Sequence, residues 1–363
     1  MLDALTAEGE LFQPQPDGSV QCHACAQRCR IKPGQRGICR VRFNREGRLR
    51  VPWGYVAGLQ CDPIEKKPFF HVFPGADVVT FGMVGCNLHC EFCQNWQTSQ
   101  TLRDDDAGSD VMAMTPEQVV AYARREGAHL IASSYNEPLI TSEWARAIFK
   151  EAAAHDIRCV YVSNGMVTRE VLEYLRPVTA GYKIDLKTMS AKSYRRLGAN
   201  LQAVLDGIQM AHEMGFWVEV VTLVVPGFND SHDELWEAAR FLAGVSPDIP
   251  WHVTAYHPAY KATRTFQRST PVSTLVQAAE IGQEAGLHYV YSGNLPGQTE
   301  DYEHTRCPKC NTRLVERYAF SLLSYRITAQ GTCPNCGTPI AGLWTDSPHA
   351  VRVHGSGRPR QLS

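Results

Sequence analysis

Eleven of the 13 cysteines in this 363-residue chain fall into three groups. Cys86, Cys90 and Cys93 stand at the spacing C-x3-C-x2-C, within Gly85-Cys86-Asn87-Leu88-His89-Cys90-Glu91-Phe92-Cys93. Cys22, Cys25, Cys29 and Cys39 form a second group. Cys307, Cys310, Cys333 and Cys336 form a third, as two C-x2-C knuckles. Only Cys61 and Cys159 stand apart. The amino terminus lacks the basic start and apolar core of a signal peptide, so such groups favour metal over disulfides. Thiolates ligate iron–sulfur clusters, normally four to a cluster. Three close-spaced cysteines without a local fourth predict a cluster with one iron left open. An open iron can hold a substrate or cofactor, as a catalytic zinc keeps an open position.

The other two groups have four cysteines each and can close a site unaided. The first reads as a structural zinc that folds a miniature lobe, or as a second redox cluster; thiolates suit both metals. His23 is expected behind the ligands or in solvent. The third reads as a zinc ribbon or a rubredoxin-like iron site, with a structural zinc preferred. An iron centre there would instead feed electrons to the main cluster. Cys159 lies among apolar residues and reads as a small buried hydrophobe.

Elements must carry these residues to one place. The apolar run 78–84 reads as a buried strand that ends at the C-x3-C-x2-C loop. Strands are then expected over 129–132, 158–162, 182–186, 217–225 and 251–256, with one more over 288–291. Helices are expected from Thr115-Pro116, over 141–155, from Thr168, in two short pieces up to about residue 215, over 231–242 and over 271–285. Repeated β-then-α units imply parallel strands with right-handed crossovers. Six units lead up to Tyr256, so the fold class is α/β, an open partial (β/α)6 barrel. Its active site belongs at the C-terminal strand ends.

That rule selects Asn136, Glu137, Ser163, Asn164, Asp185, Lys187 and His257. Asn136 and Glu137 suit the amide and ammonium chemistry of an amino-acid moiety. Glu137 could equally serve the dipole of the helix that follows. Ser163 and Asn164 suit a ribose or a turn cap. Asp185 and Lys187 point to one side by strand alternation. Such a pair inside a barrel is costly unless bonded or functional, and a rim salt bridge is the plainer reading. The runs 65–67 and 103–110 read as solvated charge.

Expected domains are 1–75, a cysteine-rich lobe and connector whose first 20 residues are loose; 76–300, the barrel; 301–344, the zinc-ribbon or rubredoxin-like module; and 345–363, a disordered tail. The formal net charge of −1 offers no basic field for nucleic acid. No apolar stretch is long enough for a bilayer. The expectation is a soluble, cytoplasmic protein.

The C-x3-C-x2-C loop after a first barrel strand resembles the signature of the radical S-adenosylmethionine (SAM) enzymes. Asp62-Pro63-Ile64-Glu65-Lys66-Lys67-Pro68, with Cys93-Gln94-Asn95-Trp96, resembles one subfamily more closely. That subfamily is the radical SAM enzyme of the AmmeMemoRadiSam system, distantly similar to pyruvate formate-lyase activating enzymes. The resemblance covers about residues 22 to 344. It implies a 4Fe–4S cluster on Cys86, Cys90 and Cys93, with SAM chelated by the open iron. One electron would cleave SAM to methionine and a 5′-deoxyadenosyl radical, which abstracts hydrogen. Glu137, Asp185, Lys187 and His257 would lie near SAM; Asn136, Ser163 and Asn164 are expected beside them as candidate cofactor contacts. The resembled enzymes carry a glycine-rich turn before the glutamate; this chain has Tyr135-Asn136 there.

The resemblance also implies an electron donor of flavodoxin or ferredoxin type. Memo-like and AMMECR-like partners would act with the enzyme on a small molecule or protein. The distant likeness offers activation of a glycyl-radical enzyme as an alternative. A zinc-scaffolded binding protein without catalysis, or an electron-transfer protein with several iron centres, are rivals of other classes. Neither needs a barrel.

Overall fold

The structure, a computed structural model, describes residues 2–354 and 360–361. Seven parallel strands run in sequential order across its main sheet: β1 (Asp77–Gly82), β2 (Leu130–Ser133), β3 (Arg158–Ser163), β4 (Gly181–Asp185), β5 (Trp217–Val224), β6 (Trp251–Ala255) and β7 (Val290–Gly293). Each pairs with the next, and β7 does not pair with β1, so the sheet stays open. The barrel thus has one parallel strand more than the six expected. The final stretch, 288–291, does join the sheet, because Val290 to Gly293 register against Trp251 to Thr254.

Helices α1 (Pro116–Arg125), α2 (Ser142–Ala153), α3 (Arg169–Leu175), α4 (Leu201–Glu213), α5 (His232–Val245) and α6 (Val272–Glu284) connect these strands. Their starts are written locally. Thr115 caps α1 in a reciprocal box with Gln118, and Pro116 takes the first position, where its missing N–H costs nothing. Thr168, Asn200 and Ser231 cap α3, α4 and α5 through their side chains. With helices packed on it, the sheet is buried on both faces; all four residues of β2 are buried. Trp144 and Trp251 are fully buried anchors, and truncating either to Ala would cost about 3–5 kcal/mol.

The chain before β1 is more ordered than expected. Thr6–Glu8 pairs with Arg48–Pro52, and Phe12–Pro14 pairs with Val20–Cys22, so the first 20 residues hold two strands. Gly58–Pro63 lies antiparallel to β1 along its whole length. The expected boundary at residue 76 therefore passes between two hydrogen-bonded strands.

Behind β7, Thr305–Arg306, Arg313–Tyr318 and Ser321–Tyr325 form a small antiparallel sheet. Its core of Leu314, Val315, Leu322, Ile327 and Ile340 packs on Phe70, Tyr289 and Tyr291 of the barrel side. The segment 345–363 was expected to be disordered. Its described part is anchored: Arg352 Nη2 pairs with Asp77 Oδ1 at 2.6 Å, and Arg360–Gln361 pairs with Gly58–Pro63. Residues 355–359 and 362–363 lie outside the described residues. Among the described residues, no helix is long and apolar enough to cross a membrane.

Candidate active site

Past β1 the chain runs through buried Met83 and Val84 and turns at Gly85, with φ +99°. A Cβ there would lie 2.9 Å from Val41 Cγ1, so both conformation and space require glycine. The turn delivers Cys86, Cys90 and Cys93 to the wall of a cavity of about 680 Å³ at the C-terminal strand ends. Asn136, Glu137, Ser163, Asn164, Asp185, Lys187 and His257 line the same cavity. Leu88 and Phe92 add apolar wall.

Burial pushes the Cys86 and Cys93 thiols up, and the Cys90 thiol to about 12 although Lys187 opposes it. Left alone, these sulfurs stay protonated; a bound metal would displace the protons to solvent and hold the thiolates. Leu88 N donates to Cys86 Sγ at 3.3 Å, and Ser99 Oγ lies 3.3 Å from Cys93 Sγ.

The polar strand ends divide into braces and free-facing groups. Glu137 accepts from Leu139 N (3.1 Å), Ser163 Oγ (2.8 Å) and Asn164 N (2.7 Å), so it caps the turn after β2 and ties β2 to β3. Burial still holds its carboxyl up at about 7. Asn136 Oδ1 accepts from Met83 N at 3.1 Å, and Asn164 Nδ2 donates to Asn87 Oδ1 at 2.8 Å. Both thereby fix the cysteine loop. Lys187 Nζ bonds Asp185 Oδ2 at 3.1 Å, and Lys183 Nζ pairs with the other oxygen. Burial acts to raise the Asp185 carboxyl, but the two lysines outweigh it and hold it well below the usual range. His257 sits exposed at the mouth, its Nδ1 3.3 Å from Ser269 Oγ.

Several lining residues escape sequence reading. Lys66 and Lys67 are no solvated charge run: Asp62, fully buried, accepts from them at 2.8 and 2.5 Å. Burial lowers Lys67 to about 8 despite that partner. Tyr135 adopts a left-handed backbone, φ +71°. Its hydroxyl bonds Asp62 Oδ2 at 3.1 Å and its ring lies 4.8 Å under Lys67 Nζ. Those contacts hold a conformation that a glycine would take without strain. The acidic stretch 103–110 is likewise partly anchored. Arg103 donates to Leu88 O (2.7 Å) and Ile38 O (2.6 Å), and Asp104 meets Lys261 Nζ at 2.7 Å. Ser292, buried, lines the cavity with a hydroxyl that has no partner. Glu303, Ala319 and Phe320 reach the cavity from the C-terminal module. Only the partnered charges had a signal in the sequence, the proximity of Asp62 to Lys66 and Lys67.

Residues 81–242 match the description of the radical SAM superfamily. Over 337 residues the chain is 37% identical to an uncharacterized protein, MJ0808, of Methanocaldococcus jannaschii, covering 92% of this chain and 98% of that one. The chain belongs to the radical SAM superfamily. It is also 27% identical over 154 residues to the isethionate sulfite-lyase activating enzyme of Desulfovibrio desulfuricans, spanning 42% of this chain and about half, 48%, of that enzyme. A solved domain of a pyruvate-formate lyase-activating enzyme from Bacteroides vulgatus aligns with TM-score 0.40 at 19% identity, over 45% of this chain and 98% of that one.

Radical SAM membership implies a 4Fe–4S cluster and SAM, and the residues present fit them. Three thiols on one loop face a cavity large enough for a nucleoside. Their spacing is not that of a single-ion site: among the described residues, only Cys307, Cys310, Cys333 and Cys336 keep their ligand atoms all within 4.8 Å of one another. In that C-terminal set, Cys307 Sγ lies 3.5 Å from Cys336 Sγ and Cys310 Sγ 3.6 Å from Cys333 Sγ. A tetrahedral ion with sulfur bonds of about 2.3 Å puts its ligands about 3.8 Å apart, so this set fits one zinc or iron ion. A bond from Thr312 Oγ1 helps push the half-buried Cys310 thiol down to about 5. The N-terminal four, Cys22, Cys25, Cys29 and Cys39, surround a small void with Gln27, Arg42 and Asn87.

Proposed function

We propose that the protein is a radical SAM enzyme that holds a 4Fe–4S cluster on Cys86, Cys90 and Cys93 and cleaves SAM reductively to start hydrogen-atom abstraction. The observation that carries this is the convergence of the three cysteines and the Asp185–Lys187 pair on one cavity. When bound, the cluster supplies one electron to the sulfonium of SAM, giving methionine and a 5′-deoxyadenosyl radical. Lys187 lies beside Cys90 and offsets the negative charge of the thiolate loop. Asp185, fixed by two lysines, presents a carboxylate to a ligand ammonium or hydroxyl. Asn136 and Asn164 keep the loop rigid, and Leu88 and Phe92 exclude water from the reacting centre. His257 at the mouth contacts the ligand's outer edge. Lys66, Lys67 and Phe320 also line the cavity, and the substrate would sit against lining residues that the cluster and SAM leave free.

The subfamily resemblance adds to the proposal Memo-like and AMMECR-like partners, a donor of flavodoxin or ferredoxin type, and a structural ion in the C-terminal module. The test uses anaerobically reconstituted full-length chain with dithionite and SAM. The wild type should form 5′-deoxyadenosine, and a Cys86→Ala, Cys90→Ala, Cys93→Ala variant should form none. Asp185→Ala, still cluster-loaded, should bind SAM at least tenfold more weakly. A wild-type chain that takes up zinc alone, and no iron, would sink the reading in favour of a binding protein.

A further inference from the structure

We infer that Cys22, Cys25, Cys29 and Cys39 hold a second, polynuclear iron–sulfur cluster, not a single zinc ion. The molecule supplies its own reference for each alternative. The C-terminal four are drawn together as a single tetrahedral ion requires, with sulfurs 3.5 and 3.6 Å apart. The N-terminal four do not share the 4.8 Å spacing that defines that set. In this they match Cys86, Cys90 and Cys93. Yet they are not scattered: all four line one small void, with three of them buried. Four thiolates around a common centre, too open for one ion, suit a cluster that sets a separate iron behind each sulfur.

Unpaired donors around the same void point the same way. Asn87 is fully buried and its Nδ2 has no acceptor. Arg42 is equally buried, and its Nε has none. Both residues line the void. A buried donor left without an acceptor costs about 1–3 kcal/mol. Any metal bound here would turn the four thiols into thiolate acceptors; the bridging sulfides of a cluster add further acceptors deep in the void, and hydrogen bonds to cluster sulfurs tune its potential. Ile38 N already donates to Cys29 Sγ at 3.5 Å. Asn87 joins the two centres: its Oδ1 lies 3.8 Å from Cys86 Sγ, and its side chain lines the void beside Cys25. The lobe therefore places a one-electron centre directly against the loop that carries the main cysteines.

This inference stands apart from the proposed function, because its test removes the main cluster. The Cys86→Ala, Cys90→Ala, Cys93→Ala chain is reconstituted anaerobically with iron and sulfide. Iron, zinc and acid-labile sulfide are counted, and the electron paramagnetic resonance spectrum is taken after dithionite. The expected result is about four iron and four sulfide per chain, with a reduced-cluster signal. Adding Cys25→Ser and Cys39→Ser should remove the sulfide and the signal while leaving the ion of the C-terminal set. In the triple variant, Asn87→Ala should shift the midpoint potential of the remaining cluster. Zinc without sulfide, iron without sulfide, no metal in the N-terminal set, or sulfide that survives Cys25→Ser and Cys39→Ser would each overturn the inference.

Discussion

Arg42 and Glu143 are each about 1% exposed and meet through two parallel bonds of 2.7 Å. Glu143 stands in the first turn of α2, where the helix dipole favours it, and also accepts from Glu10 N and Leu11 N. One carboxylate thus clamps the amino-terminal strands, the cysteine lobe and the barrel. A buried pair contributes little net stability against a hydrophobic substitute, but losing one partner strands a charge. Glu143→Gln should therefore lower unfolding free energy by about 3–5 kcal/mol in anaerobic urea titrations. Arg42→Met combined with Glu143→Leu should recover much of that loss. A single-variant loss below about 1 kcal/mol would show that the clamp is idle.

Among the elements, the seam between barrel and C-terminal module turns on His71. Its Nδ1 lies 2.6 Å from Ala341 O and its Nε2 2.6 Å from Tyr291 Oη. Burial lowers it from 6.5 to about 4, although Glu219 opposes the shift. The unfolded chain then binds the proton first. Stability is full above pH 6.5 and falls as pH drops toward about 4, by at most about 1.4 kcal/mol per unit. Glu65, raised to about 7, contributes the opposite slope, so the difference between wild type and His71→Gln is the informative quantity. The variant should flatten the acid limb of a stability-against-pH curve; an unchanged limb would free His71 of that role. The strands and helices of this layer were legible because their signals are local: capped starts at Thr115, Thr168 and Ser231, and apolar runs ending in polar residues. The same rule brought Asp185, Lys187 and the three cysteines together. The left-handed Tyr135 and the contribution of Phe320 were not legible. Each depends on a neighbour brought in by tertiary packing, which no spacing along the chain encodes.

On the scale of the whole molecule, the C-terminal module is both a four-cysteine set that fits one metal ion and a wall. Arg317, fully buried, donates to Phe70 O and Thr305 Oγ1 at 2.8 Å each and stacks on Phe70 at 4.2 Å. Leu343 N donates to His71 O at 2.7 Å. The module is thus fastened to the barrel at several points, and an ion on its four cysteines would be its internal support. Cys307→Ser with Cys333→Ser, or chelation of the ion, should expose the 305–345 region to limited proteolysis and lower the melting temperature. The barrel helices should stay resistant. Proteolysis unchanged by loss of the metal would mean that packing alone holds the module.

That wall also has a history in the life of each molecule. A ribosome delivers the cysteine lobe and the C-x3-C-x2-C loop before Glu303, Ala319 and Phe320. Until they are made, the candidate chamber lacks one side and stands open to solvent. A cluster taken up at the three cysteines in that interval would have an unobstructed way in, and the arrival of Glu303, Ala319 and Phe320 would wall it off.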